Sequence, residues 1–318
     1  MKHPKAGSGT RTVVFAALVV VIVAAVTAVL IYRTRTAPFR STILTVNDQS
    51  ITMHYFLKRL HWSRGSPTEM LRTLTNEEII KQIAPFPPYS IKITQDDVDL
   101  FLREIARRNG AAGGEDNFKA WFRQQLDETR LSDAEYRDLF LVNMLSQRLI
   151  RYLEDRVPTV AEQVHIYMVV RGSAADAQRV KERLDAGDDF FALARELNID
   201  EELKNRDGEL GWFPRAALSD SIAHVAFDTL EIGQASEPLD LTDSLFAIIL
   251  VSERVAAAQI EEEALETMKA NALERWLAQE IRRHNVVVRG LSNGYDTETD
   301  AWVEWQLTKM RKKREIER

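Results

Sequence analysis

The chain of 318 residues contains no cysteine. This absence excludes a disulfide scaffold, a thiol nucleophile, an iron–sulfur cluster and the common zinc ribbons. It also excludes an anchor that attaches through a lipid-modified N-terminal cysteine. The six histidines are scattered, and no two have the spacing of metal ligands. The sequence therefore predicts neither a metal nor another cofactor.

The chain has little net charge, −6 overall, but the charge is unevenly distributed. Residues 1–40 hold six basic side chains and no acidic one, and residues 309–318 hold six basic and two acidic ones. Residues 41–308 hold 30 basic and 46 acidic side chains, a net charge of −16. Because the body is this acidic, binding to the phosphate backbone of nucleic acid is not expected.

Long apolar runs are absent except at 13–32, where twenty residues follow one another without a charge. As a helix, this run spans ~30 Å, the thickness of a bilayer core. A buried globular helix is not normally apolar on every face, and a cleaved signal peptide has a shorter apolar core. We therefore predict an uncleaved signal anchor. Basic side chains flank both ends, so charge alone does not fix its orientation.

The sequence predicts that the segment after the anchor is predominantly helical. Residues 43–52 predict a short strand, a turn and a strand end, with Thr52 capping the next helix. Ser66 and Ser132 are each followed three residues later by a glutamate, which is the spacing of a capping box, and residues 94–97 predict the start of another helix. The sequence therefore predicts a series of capped helices up to residue 158.

A different pattern begins at residue 160. Apolar residues alternate along 164–170, which predicts a strand, and helices are predicted over 174–186 and 188–197. A turn-rich stretch follows, then a short helix after Ser219 and a buried strand at 246–251. The order is that of a β-α-α-α-β module.

The C-terminal part predicts a long amphipathic helix over 260–284, a short strand at 286–288 and a last helix over 297–310. The expected fold class is α+β, with an N-terminal transmembrane helix, a helical region, the β-α-α-α-β domain and C-terminal helices that return to the helical region. The predicted divisions are a tail (1–12), a signal anchor (13–32), a linker (33–42), a helical chaperone-like region (43–158), the mixed domain (160–255), and C-terminal helices with a basic tail (256–318).

The mixed domain contains motifs in the order and spacing of a known family. The motifs are 186–194, 208–213, Ala226-Phe227, Ile232-Gly233 and Glu237-Pro238. On these residues, 160–255 resembles the parvulin-type, PpiC-like peptidyl-prolyl isomerase domain. The resemblance implies the parvulin fold and, as the associated activity, prolyl cis–trans isomerisation.

The preceding segment also resembles a known arrangement. The segments 46–52, 94–98, 131–135 and 157–159 look like the helical chaperone region of SurA-type and PrsA-type foldases, and 260–284 is similar to their returning helix. The resemblance implies an extracytoplasmic folding factor. Together with the predicted anchor, we expect a single-pass protein of the cytoplasmic membrane with its body outside. Its partners would be unfolded or nascent exported proteins, and the lipid bilayer through 13–32.

The parvulin site can be transferred position by position. The resemblance places its two histidines on Met168 and Ala247, and its Cys or Asp on Asp200. Its hydroxyl positions fall on Thr242 and Ser244. The substrate-binding proline slot is formed by Leu210, Leu218 and Ile222.

Both family histidines are therefore replaced, and losing part of a network that acts as a unit generally removes most of the rate. We expect a membrane-anchored folding factor that binds unfolded segments, with prolyl isomerisation doubtful. Two alternatives remain open: an active prolyl isomerase acting on secreted proteins, and a membrane scaffold that binds one dedicated partner through 256–318.

Some candidate site residues also have plain structural explanations. His165 is expected to face solvent or lie on an edge strand, although a strand slip of two residues would bring it near the first histidine position. Asp200 has the alternative of a turn or helix cap. Thr242 and Ser244 flank an aspartate, and a turn explains both of them.

Overall fold

The computed structural model describes residues 36–111, 114–291 and 294–316. The predicted anchor at 13–32 lies outside this part of the chain. Within the described residues, none of the helices has the length and apolar character needed to cross a bilayer. The chain divides into two compact units, one formed by Met1–Leu149 with Trp276–Arg318 and the other by Ile150–Arg275.

The elements before the mixed domain are α1 (Ala37–Arg40), β1 (Thr42–Val46), β2 (Gln49–Thr52), α2 (Met53–Ser63), α3 (Pro67–Ile83), α4 (Gln95–Arg108), α5 (Glu115–Thr129) and α6 (Asp133–Glu154). The mixed domain contains β3 (Val160–Arg171), α7 (Ala174–Asp185), α8 (Phe190–Leu197), α9 (Glu201–Asn205), β4 (Glu209–Pro214), α10 (Asp220–His224), β5 (Leu239–Thr242) and β6 (Leu245–Gln259). The chain continues with α11 (Glu262–Ala270), α12 (Ala272–Ile281), β7 (Val286–Val288) and α13 (Thr297–Ile316).

The first unit contains a three-stranded antiparallel sheet in the order β2-β1-β7. β1 and β2 form the predicted hairpin, whose turn places Asn47 in the left-handed region with φ 53°. β7 pairs with the other edge of β1, with Leu44 opposite Val288. The C-terminal segment therefore completes the sheet that the N-terminal hairpin begins.

Three helix starts of this unit agree with the sequence signals, whereas α1 lies within the segment predicted as a linker. The side chains of Ser66 and Thr94 each accept a hydrogen bond from the backbone of the third helical residue, and the acidic side chain at that residue accepts one in return. Ser132 makes the same exchange with Glu135. These reciprocal bonds satisfy backbone donors that a helix start otherwise leaves open.

A buried ion pair joins α2 to α3. The guanidinium of Arg59 donates two hydrogen bonds of 2.7 Å to the carboxylate of Glu77, and one of 2.9 Å to the hydroxyl of Tyr55. Burial alone lowers the pKa of Arg59, but hydrogen bonding and charge from Glu77 outweigh it and raise that pKa. Arg59 is therefore permanently charged inside the unit and depends on its partner.

The second unit contains a four-stranded antiparallel sheet in the order β4-β3-β6-β5. The predicted β-α-α-α-β order lacks β4 and β5, so the reading from sequence was incomplete. Both are short edge strands, and β4 contains Gly211 and ends on Pro214. β4 lacks the alternating burial by which a strand is recognised in sequence, and β5 shows it over only four residues.

The two faces of β3 pack in different cores. Val164, Ile166 and Met168 belong to an apolar cluster that includes residues of α10 and β6, which we call the slot cluster. Val169, on the other face, packs with Leu193 and other apolar residues of α7 and α8. The residues that alternate along this strand therefore face two different buried clusters.

One predicted element is divided in the structure. The single helix expected over 260–284 is two helices, α11 and α12, which are interrupted at Asn271. Asparagine favours the end of a helix over its interior, because its side chain competes for backbone hydrogen bonds. The segment from Trp276 onward belongs to the first unit, while α11 belongs to the second.

We predict that Gly208→Ala destabilises the second unit by ~3 kcal/mol, since left-handed backbone and overpacking each cost about 1–3 kcal/mol. Gly208 has φ +85°, and a β-carbon there would lie 2.9 Å from Ala194 Cβ and 2.9 Å from the carbonyl oxygen of Met168. Gly187→Ala is the matched control, because its φ is +98° but its β-carbon would meet nothing within 4 Å. Urea unfolding of both variants measures the difference, and equal losses would contradict the packing argument.

A second prediction concerns the ion pair in the first unit. Arg59→Met leaves the carboxylate of Glu77, which is only 20% exposed, without its partner and should cost ~3 kcal/mol of unfolding free energy. Arg107→Met also removes an arginine–glutamate pair, with Glu104, but Arg107 is 65% exposed. The exposed pair should be worth less than about 1 kcal/mol. Thermal unfolding of the two variants tests this, and a comparable loss in both would refute it.

Candidate functional site

The two positions expected for the family histidines lie side by side in the slot cluster. β3 and β6 are antiparallel, with Val170 opposite Ala247 and Met168 opposite Ile249. Met168 is 5% exposed and Ala247 is fully buried. This part of the site is therefore closed and apolar, and these two side chains offer no group that could donate or accept a proton.

The three predicted slot residues pack against the same cluster. Leu218 is buried within it, while Leu210 and Ile222 are half-buried against it. They come from three separate elements: β4, the segment before α10, and α10 itself. The structure thus brings together five of the predicted site residues, and two of them keep apolar surface open to solvent.

Asp200 is exposed and serves as the N-cap of α9. Its Oδ1 accepts hydrogen bonds of 3.0 Å from the backbone N–H groups of Glu202 and Leu203. Leu203 is itself part of the slot cluster. The helix-cap explanation for Asp200 is therefore correct as to its contacts, although the residue does lie beside the apolar site.

A buried residue that the sequence reading missed holds the Asp200 loop in place. Asn198 Oδ1 accepts a hydrogen bond of 3.0 Å from the backbone of Val170, and its Nδ2 donates one of 2.8 Å to the carbonyl of Met168. The backbone N–H of Asp200 also points at Asn198 Oδ1, at 3.4 Å. The sequence offered one signal for this role: Asn198 is a polar residue between two apolar ones at the end of α8.

Thr242 ends β5, and Ser244 lies in the turn between β5 and β6. The backbone N–H of Ser244 donates to Thr242 Oγ1 at 3.5 Å, as in an ordinary hydroxyl turn. Both residues are exposed, and among the hydrogen bonds of the described residues none joins either hydroxyl to Asp200. A shallow cavity of about 380 Å³ beside this turn is lined by Thr242 and four neighbouring residues.

His165 lies on the face of β3 opposite to Met168. Its Nδ1 is 3.0 Å from Ser252 Oγ, its Nε2 is 3.1 Å from Glu209 Oε1, and its ring stacks on Trp212. The expectation of a solvent-facing or edge position is wrong: β3 is an inner strand, and the side chain is only 12% exposed. The pairing with β6 is irregular between His165 and Ile166 and regular from Ile166 to Arg171. Val164 and Met168 still belong to one cluster, so His165 stays away from the first histidine position.

The segment containing the Ala226-Phe227 motif is fixed by two arginines. Arg254 donates hydrogen bonds to the carbonyls of Phe227 and Ala226, at 3.1 and 3.0 Å. Arg215 lies over the Phe227 ring and binds the carboxylate of Asp228 through both guanidinium nitrogens. Hydrogen bonds from Arg215 and then His224 lower the pKa of Asp228 to about 2. This turn borders the slot and is held rigidly.

A cavity of about 320 Å³ opens beside the slot, and we call it the side groove. Leu210, Leu203 and Phe213 contribute its apolar surface, and Asp200 lies on its rim. α11 forms one wall, because Ala264 and Met268 pack near the residues 216–217 that lead to Leu218. Within the described part of the chain, no group of three or more His, Asp or Glu side chains is arranged to hold a metal ion.

Residues 171–253 match the model of the rotamase family, described as the PPIC-type PPIase domain. Met168 lies just before this range, and all the other predicted site residues lie within it. Among curated proteins, the foldase protein PrsA of Halalkalibacterium halodurans is 23% identical over 239 residues, which is 71% of this chain and 69% of the relative. Foldase protein PrsA 4 of Bacillus cereus is 23% identical over 257 residues, 80% of this chain and 84% of the relative.

Two solved structures are also similar. The peptidylprolyl isomerase PrsA from Bacillus anthracis is 19% identical, covering 76% of this chain and 97% of that chain with a TM-score of 0.38. Pin from the archaeon Cenarcheaum symbiosum is 33% identical, covering 29% of this chain and 92% of that chain with a TM-score of 0.26. The match to the family model identifies residues 171–253 as a PPIC-type PPIase domain, and 71% of the chain is similar to a PrsA foldase.

Proposed function

We propose that this protein is a membrane-anchored, extracytoplasmic folding factor that holds unfolded segments of exported proteins and has little prolyl isomerase activity. The observation that carries the proposal is the burial of Met168 and Ala247 in the slot cluster, at the two positions where the family resemblance expects histidine. The domain keeps the apolar slot of the family and lacks the polar network beside it.

The chemistry of prolyl isomerisation supports this division between binding and catalysis. Rotation about an X–Pro bond has a barrier of ~20 kcal/mol, which makes the uncatalysed step take tens to hundreds of seconds. Asp200 alone remains of the polar trio, and its Oδ1 is engaged with the start of α9. A residual network of this kind generally retains only a small part of the rate.

The slot is suited to weak, transient binding. Leu210 and Ile222 are half-buried, so that a client side chain can cover the rest of their surface. Burying one Leu-sized or Phe-sized side chain is worth about 1.5–3 kcal/mol, which is far from tight binding. A folding factor has to release its client, and a single apolar slot of this kind permits release.

Membrane attachment through 13–32 is part of the proposal and rests on the apolar run in the sequence. A tether raises the effective concentration of a weak binding site near chains that emerge from the membrane, without any new contact. Attachment at the membrane therefore compensates for the weak affinity of the slot.

An active prolyl isomerase is the second candidate function. It is favoured by the retained slot and by Asp200, whose Oδ2 takes no part in capping α9. Under this alternative the slot holds proline in a strained geometry, and Asp200 contributes polar stabilisation. The architecture is the same, so only a rate measurement separates the two.

We predict that the full-length chain in detergent accelerates isomerisation of a proline tetrapeptide less than a tenth as well as an active parvulin, because both histidines are missing. A protease-coupled assay measures this rate. Asp200→Ala should leave the small residual rate within a factor of two. Acceleration equal to that of an active parvulin, abolished by Asp200→Ala, would establish the second candidate and overturn the first.

We also predict that the same protein suppresses aggregation of an unfolded client, and that Ile222→Ala raises the concentration needed by about threefold, since it removes apolar surface from the slot. Ile232→Ala is the matched control, because Ile232 is 63% exposed and lies outside the slot cluster. Light scattering during dilution of a denatured client reports the effect. Equal behaviour of the two variants, both shown to be folded by circular dichroism, would remove the slot from the proposal.

A further inference from the structure

The side groove carries an unbalanced charge. Asp200 and Glu202 lie on its α9 side, and Glu261 and Glu263 lie on its α11 side. Arg206 is the one basic side chain among the residues that line it. The negative side chains thus come from two separate elements on two sides of one cavity.

The positive charge nearby is too small to neutralise these carboxylates. Arg206 is already shared, at 3.7 Å from Glu202 and 3.9 Å from Glu209. Each helix N-terminus adds about half a positive charge, which is the ordinary reason for acidic residues in a first turn. After both helix termini and Arg206 are counted, the lining keeps a net charge of about −2.

The carboxylates on the α11 side have no partner within the described part of the chain. Glu261 precedes α11 without capping it through its side chain, and the side chain of Glu263 likewise makes no hydrogen bond or ion pair there. The neighbouring Glu266, in contrast, is paired with Lys269. Glu261 and Glu263 are therefore available to a ligand.

The side groove is also continuous with the apolar slot. Leu210 packs against the slot cluster and lines the side groove as well. A peptide with one side chain in the slot would accordingly place its neighbouring side chains at the side groove. An apolar floor with an acidic rim fits the aliphatic stem and charged end of lysine or arginine, which bury their stems while the charge stays in a polar setting.

We propose that the side groove selects client segments in which a lysine or arginine lies next to the residue held in the slot. This inference rests on the proposed function, because it concerns the client class of the same site. It adds a preference that the apolar slot alone does not provide. The net charge of −16 over 41–308 draws cationic segments toward the same protein from a distance.

The test uses the full-length chain in detergent and three labelled peptides that share the core Ala-Leu-Pro-Phe and differ only in flanking Lys, Gln or Glu. Fluorescence anisotropy in low salt should show that the Lys peptide binds about fivefold more tightly than the Gln peptide, and that the Glu peptide binds more weakly. In 0.5 M salt the Lys preference should fall below twofold, because rim charges are screened.

Glu261→Gln with Glu263→Gln should lower the ratio of the Lys-peptide affinity to the Gln-peptide affinity from about fivefold to below twofold. Glu262→Gln with Glu274→Gln is the matched control, since it removes the same total charge at exposed positions that do not line the side groove. That control variant should keep the preference. Urea unfolding verifies that both variants are folded.

The possible failures are distinguishable. If the Gln peptide binds and the Lys peptide binds no better, the charge preference is wrong while the proposed function stands. An equal loss in both double variants would assign the preference to the overall field of the protein and overturn the side groove as its source. If no peptide binds at all, the proposed function fails and the inference fails with it.

Discussion

The antiparallel pairing of β3 with β6 is the constraint on which the candidate site depends. It runs from Val160 opposite Gln259 to Arg171 opposite Phe246, and these are the two inner strands of the sheet. Because side chains alternate across a strand, the pairing decides which residues face the slot and which face α7 and α8. Met168 and Ala247 share the slot face as a consequence, whereas His165 cannot reach it without a change of register.

A second constraint fixes the loop that carries Asp200. Asn198 is buried, and it satisfies the backbone of both Met168 and Val170. On the same stretch of β3, the backbone N–H of Met168 donates to the carbonyl of Gly208 at 2.7 Å. Buried polar groups are costly unless they are paired, so these contacts hold the loop in one position. These contacts of Asn198 and Gly208 with β3 therefore position the cap of α9, the floor of the side groove and the edge strand β4.

Sequence reasoning succeeded where the signal is local and failed where it depends on distant partners. The helix starts at Ser66, Thr94 and Ser132 need only a residue three positions away, and each was predictable. The burial of His165 depends on Glu209 and Ser252, which are far away in sequence. No local sequence pattern predicts these two contacts. The packing of Leu210, Leu218 and Ile222 against one cluster was expected by resemblance alone. The side groove was not, because it requires β6 to continue to Gln259, beyond the predicted strand end at 251, so that α11 forms its wall.

Buried apolar side chains at the two positions where the family resemblance expects histidine affect the stability of the domain. A buried imidazole must keep its hydrogen-bond partners, and each one left without a partner costs about 1–3 kcal/mol. Methionine and alanine remove that requirement and extend the slot cluster across β3 and β6 without a polar gap. Under the proposed function, the exchange stabilises the domain and weakens its catalytic equipment, which is the usual opposition between stability and activity. In the proposed function, the domain keeps an apolar slot for a client segment, and selectivity among clients must then come from residues around the slot, such as the four carboxylates that line the side groove.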